Sequence, residues 1–160
     1  MNKILSTEKA TQTAKKLASQ GKTIVLAGGC FDILHVGHLA LLNEAKKQAD
    51  VLFVLLESDE SIKKLKGKNR PINTQEDRAK ILESLEMVDC VIKLPNFENN
   101  KDYDKLVISI KPAIIATSVG DPSRFHKERQ ASITGAKVVE VTEQIVNQST
   151  TRLIDILNEL

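Results

Sequence analysis

One short turn of this chain gathers the residue types best suited to binding and activating an anion. His35 and His38 lie three positions apart with Gly37 between them, and Gly29 precedes them at the end of an apolar segment. Near the start of a helix this spacing puts both imidazoles on one side, where backbone N–H groups and the positive helix end also meet. Two surface histidines in a glycine turn are the ordinary alternative, but the strand–turn–helix context favours an anion site.

A second group of candidate phosphate ligands lies in a basic segment later in the chain. Five cations fall within eight residues: Lys63, Lys64, Lys66, Lys68 and Arg70. A solvated loop is the usual explanation for such a charge run. The alternative is a lid in which Lys66 and Arg70 close over a polyphosphate, with Gly67 providing flexibility.

Two predicted helices begin with polar groups that could also meet an anion. Arg78 falls near a helix start, which is an unfavourable end for a cation and therefore indicates a dedicated phosphate or carboxylate partner. Ser149, Thr150 and Thr151 open the last predicted helix. Ser149 can cap this helix, and its free N–H groups and hydroxyls can bind an anion as well, so the two roles can coexist.

Alternating apolar and amphipathic segments predict the elements that position these residues. Strands are predicted near 23–27, 51–56, 89–93, 113–116 and 137–141, and helices near 7–20, 36–48, 75–85, 103–110, 122–132 and 150–159. This alternation indicates an α/β fold, an open and doubly wound parallel sheet with helices on both faces. The turn at His35 then leaves the carboxyl end of the first of these strands, where such sheets bind ligands. The segment 57–74 is predicted as one long irregular loop, a common place for a functional lid.

Length and composition limit the classes of protein to consider. The 160 residues predict a single domain, 1–160, in which 1–21 form an N-terminal helical extension. A net charge of +2 and the absence of tryptophan argue against a nucleic-acid-binding protein. The apolar segments are too short for a membrane span or a signal peptide, so a cytoplasmic protein is expected. Cys30 and Cys90 are expected to be small buried hydrophobic residues, because no spacing supports a disulfide or a metal site.

Five short motifs follow one another across nearly the whole chain. They are Gly29-x-Phe31-Asp32-x-x-His35-x-Gly37-His38, Ser58-Asp59, Leu65-Lys66-Gly67-x-x-Arg70-Pro71-x-Asn73, Asp77-Arg78 and Ser149-Thr150-Thr151. In this order and spacing the chain resembles the His-x-Gly-His nucleotidylyltransferase (cytidylyltransferase-like) superfamily. It is most similar to the nucleotidylyltransferase domain of bacterial ADP-heptose synthase, and next to glycerol-3-phosphate cytidylyltransferase. The resemblance implies a Rossmann-like sheet with strand order 3-2-1-4-5.

The resemblance also implies a reaction, the transfer of a nucleoside monophosphate from ATP or CTP to a phosphorylated sugar or polyol with release of pyrophosphate. Positioning and charge stabilisation would carry this reaction without a protein nucleophile. The implied catalytic groups are His35, His38, which would contact the α-phosphate, and Lys66. The implied nucleotide-binding residues are Gly29, Cys30, Phe31, Gly37, Arg70, Arg78, Ser149, Thr150 and Thr151. Mg²⁺ is expected to arrive with the triphosphate, because the sequence has no carboxylate cluster for an all-protein metal site.

The acceptor is left open by a departure from the family pattern at 116–125. The family has a Gly-Gly-Asp-Tyr-like stretch here, preceded by lysine; Asp121 matches its aspartate, but the lysine and tyrosine are missing. Asp121 and Arg124 are candidate acceptor contacts, and Asp32 either faces a ligand or orients the turn through local hydrogen bonds. The sugar-kinase domain that usually accompanies this family is not expected within 160 residues, and a homodimer is expected. A glycerol-3-phosphate-type cytidylyltransferase, an FMN adenylyltransferase and a nucleotide-binding regulatory module without turnover remain alternatives.

Overall fold

Parallel strands form one sheet in residues 2–143 and 149–159, the part of the chain that the computed structural model describes. In chain order the elements are β1 (Ile4–Leu5), α1 (Thr7–Ser19), β2 (Ile24–Gly29), α2 (Val36–Lys46), β3 (Val51–Leu56), α3 (Asp59–Lys66), α4 (Gln75–Glu83), β4 (Cys90–Lys93), α5 (Asn100–Ile110), β5 (Ile114–Ser118), α6 (Arg124–Thr134), β6 (Lys137–Thr142) and α7 (Thr150–Asn158). The strand order is β1-β4-β3-β2-β5-β6, and each neighbouring pair is parallel. Helices pack on both faces of this sheet, so the predicted Rossmann-like α/β fold is confirmed.

The five predicted strands are present in the predicted order, and the one difference is an additional edge strand. Strand β1 pairs with β4, with Ile4 opposite Val91 and Leu5 opposite Ile92. The backbone N–H of Val91 also donates to the carbonyl of Lys3 at 2.9 Å. Periodicity could not reveal β1, because a two-residue strand is shorter than any alternation pattern.

The centre of the sheet is buried on both faces, which fixes the strand ends that carry the candidate site. All six residues of β3 are buried. Val54 and its neighbours two positions away pack beneath α2 and α4, whereas Phe53 and Leu55 pack with α1 and α5. Strands β2 and β3 run in register to their last residues, where Gly29 lies opposite Leu56. The chain segments that follow these two strands therefore leave the same edge of the sheet side by side.

The starts of α4 and α6 are stabilised in different ways. The Thr74 hydroxyl accepts a hydrogen bond from the Asp77 backbone N–H at 3.2 Å and donates to the Asp77 carboxylate at 2.7 Å, which caps α4. The prediction for α6 is wrong by two residues, because this helix begins at Arg124. The Asp121 carboxylate instead accepts hydrogen bonds from the N–H and hydroxyl of Ser123, at 2.8 and 2.7 Å, and so closes a turn before the helix.

The segment predicted as a long loop, 57–74, contains a helix. Ser58 caps α3 by accepting a hydrogen bond from the Ser61 backbone N–H at 3.1 Å. Acidic residues occupy the first turn of α3 and basic residues its last turn, and this charge order complements the helix dipole. The lysine run was therefore a sign of a helix end. Lys66 is the last residue of this helix, α3.

Candidate active site

A cavity of about 240 Å³ beside the carboxyl end of β2 brings together three separate segments of the chain. Its lining residues are Cys30, Phe31, Asp32, His35, His38, Lys66, Arg70, Ser149, Thr150 and Thr151. All ten are candidate residues from the sequence, and the cavity lies where the strand order reverses between β2 and β5, the usual ligand position in such sheets. A larger cavity of about 300 Å³ between α1 and α5 contains none of them, so chemistry points to the smaller one.

The turn after β2 is shaped by the packing of Phe31. This residue is buried, and its backbone adopts a positive φ of 47°. Its ring lies so close to Gly29 that a Cβ atom on Gly29 would approach the ring to 3.1 Å. A side chain at position 29 would therefore crowd the Phe31 ring, so the packing of the turn favours glycine there, in addition to any need for a ligand to approach the backbone.

His35 both caps α2 and faces the cavity. Its backbone is extended, and its Nδ1 accepts a hydrogen bond from the Gly37 backbone N–H at 3.1 Å. A backbone N–H can only donate, so Nδ1 carries no proton and a neutral His35 must carry its proton on Nε2. Burial lowers the pKa of His35. His35 therefore offers a neutral N–H donor to the cavity, while Gly37 contributes to the cap and does not line the cavity.

His38 is held between two rings. It stacks on His35 with ring centroids 3.9 Å apart, and the ring of Phe31 lies 5.2 Å away. Burial, and to a smaller extent the nearby His35, lowers the pKa of His38 to about 4. Its Nδ1 is buried without a hydrogen-bond partner in the described part of the chain. Leaving a buried polar atom unpaired is costly, so folding stability alone does not explain the position of this ring.

The lowered pKa of His38 predicts a pH-dependent contribution to folding stability. An unfolded histidine titrates near pH 6.5, whereas folded His38 stays neutral down to about pH 4, so the unfolded chain binds more protons between these values. The free energy of unfolding should therefore fall as pH drops through this window, by about 3 kcal/mol at most. Urea unfolding from pH 4 to 8 should show this slope reduced in His38→Asn. The same substitution at the exposed His126 should leave the slope unchanged, and equal slopes in all three proteins would contradict the prediction.

Asp32 has a structural role, but its hydrogen bonds are not the predicted local ones, because their donors lie in the segment 70–73. Its carboxylate is fully buried and accepts a hydrogen bond from Arg70 Nε at 2.6 Å. The backbone N–H groups of Ile72 and Asn73 also donate to it, each at 2.9 Å. Burial alone would raise the pKa of Asp32, but these three donors lower it below its usual range. Arg70 lines the cavity while its Nε is committed to this anchor.

Arg78 is placed as an internal brace, so the structure does not support the predicted nucleotide contact. Its side chain is completely buried. Nε donates to the carbonyl of Asn73 at 3.0 Å, and Nη1 donates to the carbonyl of Cys30 at 2.6 Å. Nη2 donates to the carbonyl of Glu57 at 2.9 Å and to Asp59 Oδ1 at 2.6 Å. The expected carboxylate partner is therefore Asp59, and Arg78 ties together the segments around the cavity.

Of the lysine run, only Lys66 reaches the cavity. Lys63, Lys64 and Lys68 are exposed and do not line it. Lys66 ends α3, and the next residue, Gly67, has a φ of 100° that favours glycine. The helix and the Asp32–Arg70 anchor thus hold both ends of the short segment that carries Lys66.

The start of α7 supplies the third segment that lines the cavity. Ser149 accepts a hydrogen bond from the Arg152 backbone N–H at 3.1 Å, as the predicted cap requires. Thr150 is buried and donates to the carbonyl of Ile33 at 3.0 Å, which ties this helix to the histidine turn. Thr151 is exposed at the rim. The positive end of α7 therefore faces the same space as the two histidines.

The two candidate acceptor residues after β5 lie outside the cavity lining. Asp121 accepts hydrogen bonds from Lys127 Nζ at 2.5 Å and from the Thr117 hydroxyl at 2.7 Å. Burial opposes ionisation of Asp121, but these hydrogen bonds and that from Ser123 hold its pKa well below the usual range. Arg124 pairs with Glu128 and Glu140 on the surface. Arg124 is thus a surface ion-pair residue. The ion pair of Asp121 with Lys127, six residues further on, could not be predicted, because nothing in the spacing of these two residues indicates it.

Neither a protein metal site nor a membrane-spanning helix is found in residues 2–143 and 149–159. No group of three or more His, Cys, Asp or Glu side chains there is placed to hold a metal ion. No helix in the same residues is long and apolar enough to cross a membrane.

Burial raises the pKa of Cys30, so this cavity thiol stays protonated at neutral pH and is a poor nucleophile.

The chain is similar to known protein sequences over most of its length. The family described as Cytidylyltransferase-like matches residues 26–155. Proteins described as bifunctional protein HldE are 51% identical over 68% of this chain in Aliarcobacter butzleri, 42% over 89% in Nitratiruptor sp., and 41% over 96% in Helicobacter hepaticus. The matched region is only 22%, 29% and 30% of those three proteins, so this chain corresponds to one part of much longer relatives.

Solved structures share the fold. The lipopolysaccharide core biosynthesis protein from Thermoplasma volcanium is 28% identical with a TM-score of 0.62, over 78% of this chain and 98% of that one. Pantoate-beta-alanine ligase from Francisella tularensis, complexed with beta-gamma ATP and beta-alanine, is 17% identical with a TM-score of 0.60, over 98% of this chain and 76% of that one. The second similarity concerns the fold alone.

Proposed function

This chain belongs to the cytidylyltransferase-like family of nucleotidyltransferases, and from that premise we propose that it transfers a nucleoside monophosphate from ATP or CTP to a phosphorylated sugar or polyol. The observation that carries the proposal is the convergence of stacked His35 and His38, Lys66 and the start of α7 on one cavity. Such a set of neutral donors, a cation and a positive helix end suits a polyphosphate. ADP-heptose-type adenylyl transfer is the leading form of the proposal.

In the proposed reaction an oxygen of the acceptor phosphate forms a bond to the α-phosphorus while the bond to the bridging oxygen of the β-phosphate breaks. Pyrophosphate leaves with that electron pair. His38 would donate a hydrogen bond to the α-phosphate as its charge builds, and His35 Nε2–H would donate beside it. Lys66 would neutralise the departing phosphates. No proton-accepting side chain is required, because the attacking phosphate is already an anion.

We propose that Mg²⁺ enters with the triphosphate and is held by phosphate oxygens and water. Asp32, the carboxylate of the cavity lining, is committed to Arg70 and two backbone N–H groups. The other side chains of the lining are imidazoles, hydroxyls, cations, a thiol and a phenyl ring, so none of them is a second carboxylate for a protein-held Mg²⁺. When bound, the ion would offset the negative charge of the phosphates; the protein residues hold the phosphates themselves.

We further propose a homodimer that works in the cytoplasm, where nucleoside triphosphates are supplied. Support for self-association comes from exposed apolar side chains on α6, where Phe125 is 70% and Ile133 is 51% exposed. Sedimentation velocity of the chain over a range of concentrations tests this part of the proposal: a species of one chain only, at all concentrations, would contradict it.

A pyrophosphate-release screen tests the proposed reaction. ATP, CTP, GTP and UTP are each combined with Mg²⁺ and one acceptor: a heptose 1-phosphate, other sugar phosphates, glycerol 3-phosphate or FMN. Release with ATP and a sugar phosphate supports the leading form, and release with CTP and glycerol 3-phosphate supports the cytidylyl alternative. Nucleotide binding without release for any acceptor would overturn the proposed transfer and favour a regulatory module.

Lys66 supplies a quantitative prediction for the same assay. Lys66→Ala should raise the nucleotide KM and lower kcat together, with kcat/KM falling about tenfold or more, the scale of one charge-assisted hydrogen bond. Lys63→Ala is the matched control, because it removes the same charge from the same helix away from the cavity. Equal kinetics in the two variants would show that the segment is only a solvated charge run.

A further inference from the structure

Glu57 is a carboxylate placed just outside the phosphate-binding groups of the cavity. It follows β3 directly, and its backbone N–H still donates to the carbonyl of Gly29 at 3.2 Å. Side chains alternate along a strand, so Glu57 points to the same face as Phe53 and Leu55, which is the face covered by α1 and α5. The histidine turn and Phe31 belong to the opposite face. Glu57 therefore lies across the strand ends from the two histidines.

The carboxylate of Glu57 is held by a hydroxyl and not by a cation. The Tyr103 hydroxyl on α5 donates to Glu57 Oε2 at 2.8 Å, and the ring of Tyr103 is fixed edge-on against Phe97 with centroids 4.9 Å apart. Arg78 donates to the backbone carbonyl of Glu57 and gives its ion pair to Asp59 instead. Within residues 2–143 and 149–159, Glu57 has no salt bridge.

This arrangement is costly to folding, which indicates a role in binding. Burial raises the pKa of Glu57, although hydrogen bonds from Tyr103 and Ser61 and the charge of Arg78 oppose the rise. A half-buried carboxylate without a paired cation lowers the stability of a fold. Its presence beside the cavity therefore indicates a function other than stabilising the fold. Glu57 also acts electrostatically on Cys30, which lines the cavity, so its carboxylate lies near the cavity, just behind the lining residues.

The sign of its charge selects the part of the ligand that Glu57 can meet. A carboxylate repels phosphate, so Glu57 is not expected to contact the phosphate groups that the cavity cations Lys66 and Arg70 would attract. A carboxylate accepts hydrogen bonds from hydroxyl groups strongly, because its oxygens are ionised acceptors. We propose that Glu57, oriented by Tyr103, accepts hydrogen bonds from the hydroxyl groups of the acceptor and so selects a polyhydroxylated acceptor. This inference rests on the proposed function.

Steady-state kinetics of the full chain with Mg²⁺ test the inference. ATP and a heptose 1-phosphate are the first pair of substrates, and CTP and glycerol 3-phosphate are the second pair. Glu57→Gln should raise the acceptor KM about tenfold or more, the scale of a hydrogen bond to a charged group. The nucleotide KM, measured separately, should stay within about twofold. Tyr103→Phe should raise the acceptor KM less, because it removes only the group that orients the carboxylate. Glu60→Gln, the same change on an exposed residue of α3, should change neither constant.

Deoxy analogues of the sugar phosphate locate the contact. Removal of the hydroxyl that Glu57 binds should raise the KM of the unchanged protein but add nothing further in Glu57→Gln. An acceptor KM within twofold of the unchanged protein in Glu57→Gln, or an equal rise in the nucleotide KM, would overturn the inference while turnover by the unchanged protein upheld the proposed function. Absence of turnover by the unchanged protein with every nucleotide and acceptor would overturn both. If Glu57→Gln does not fold, Tyr103→Phe with the same analogues decides.

Discussion

His38→Ala is expected to lower kcat by about 10²–10³-fold, the scale of one lost transition-state hydrogen-bond donor. The reason is geometric: His38 is fixed between His35 and Phe31, and its Nδ1 is buried and unpaired in the described part of the chain. A neutral ring held in this way loses little entropy when it donates to an α-phosphate whose charge is growing. Pyrophosphate release under saturating nucleotide and acceptor measures the loss.

Nucleotide affinity should change much less than turnover in this variant, because the backbone turn, Lys66 and the start of α7 remain. Calorimetric titration with the nucleotide separates the two effects. His126→Ala is the matched control, since it removes the third histidine of the chain from an exposed position on α6. If a folded His38→Ala protein turned over at the rate of the control, His38 would have no place in the chemistry.

The regular elements of the fold could be predicted because their signals are local. The six buried apolar residues of β3 and the amphipathic helices that alternate with the strands are visible in any short window of sequence. Strand β1 was missed because its two residues carry no period. The helix α3 was missed because its charge order was interpreted as a basic loop, although Ser58 and the acidic first turn are helix-start signals.

The site could be predicted as a set of residues but not as a set of roles. The five motifs specify nine of the ten residues that line the cavity, and Cys30 lies inside the first motif, but Gly29, Gly37 and Arg78 belong to the same motifs and do not line it. What sequence could not show was which cations the fold itself uses. Arg70 shares a motif with Lys66, and Arg78 belongs to the next motif, yet Arg70 is bonded to Asp32 and Arg78 is buried among backbone carbonyls. Such pairings depend on where loops meet in space, which no spacing within one segment encodes.

The largest expected effect on stability belongs to Arg78. Arg78→Met fills a similar volume but leaves the carbonyls of Cys30, Glu57 and Asn73 without their donor. It also leaves the carboxylate of Asp59, 29% exposed, without its cation. Breaking a buried ion pair by removing one partner costs about 3–5 kcal/mol. For a chain of this size the melting temperature should fall by about 10 °C, measured by circular dichroism.

Arg124→Met provides the matched control for this prediction, because it makes the same substitution where the arginine pairs with Glu128 and Glu140 at the surface. Exposed pairs of this kind contribute little to stability, since water and salt screen them. The ratio of the two losses thus separates burial from charge. Equal losses would mean that the carbonyls around Arg78 find other donors when the arginine is removed. The turn after β2, the segment after β3 and the start of α3 would then not depend on Arg78 for their arrangement.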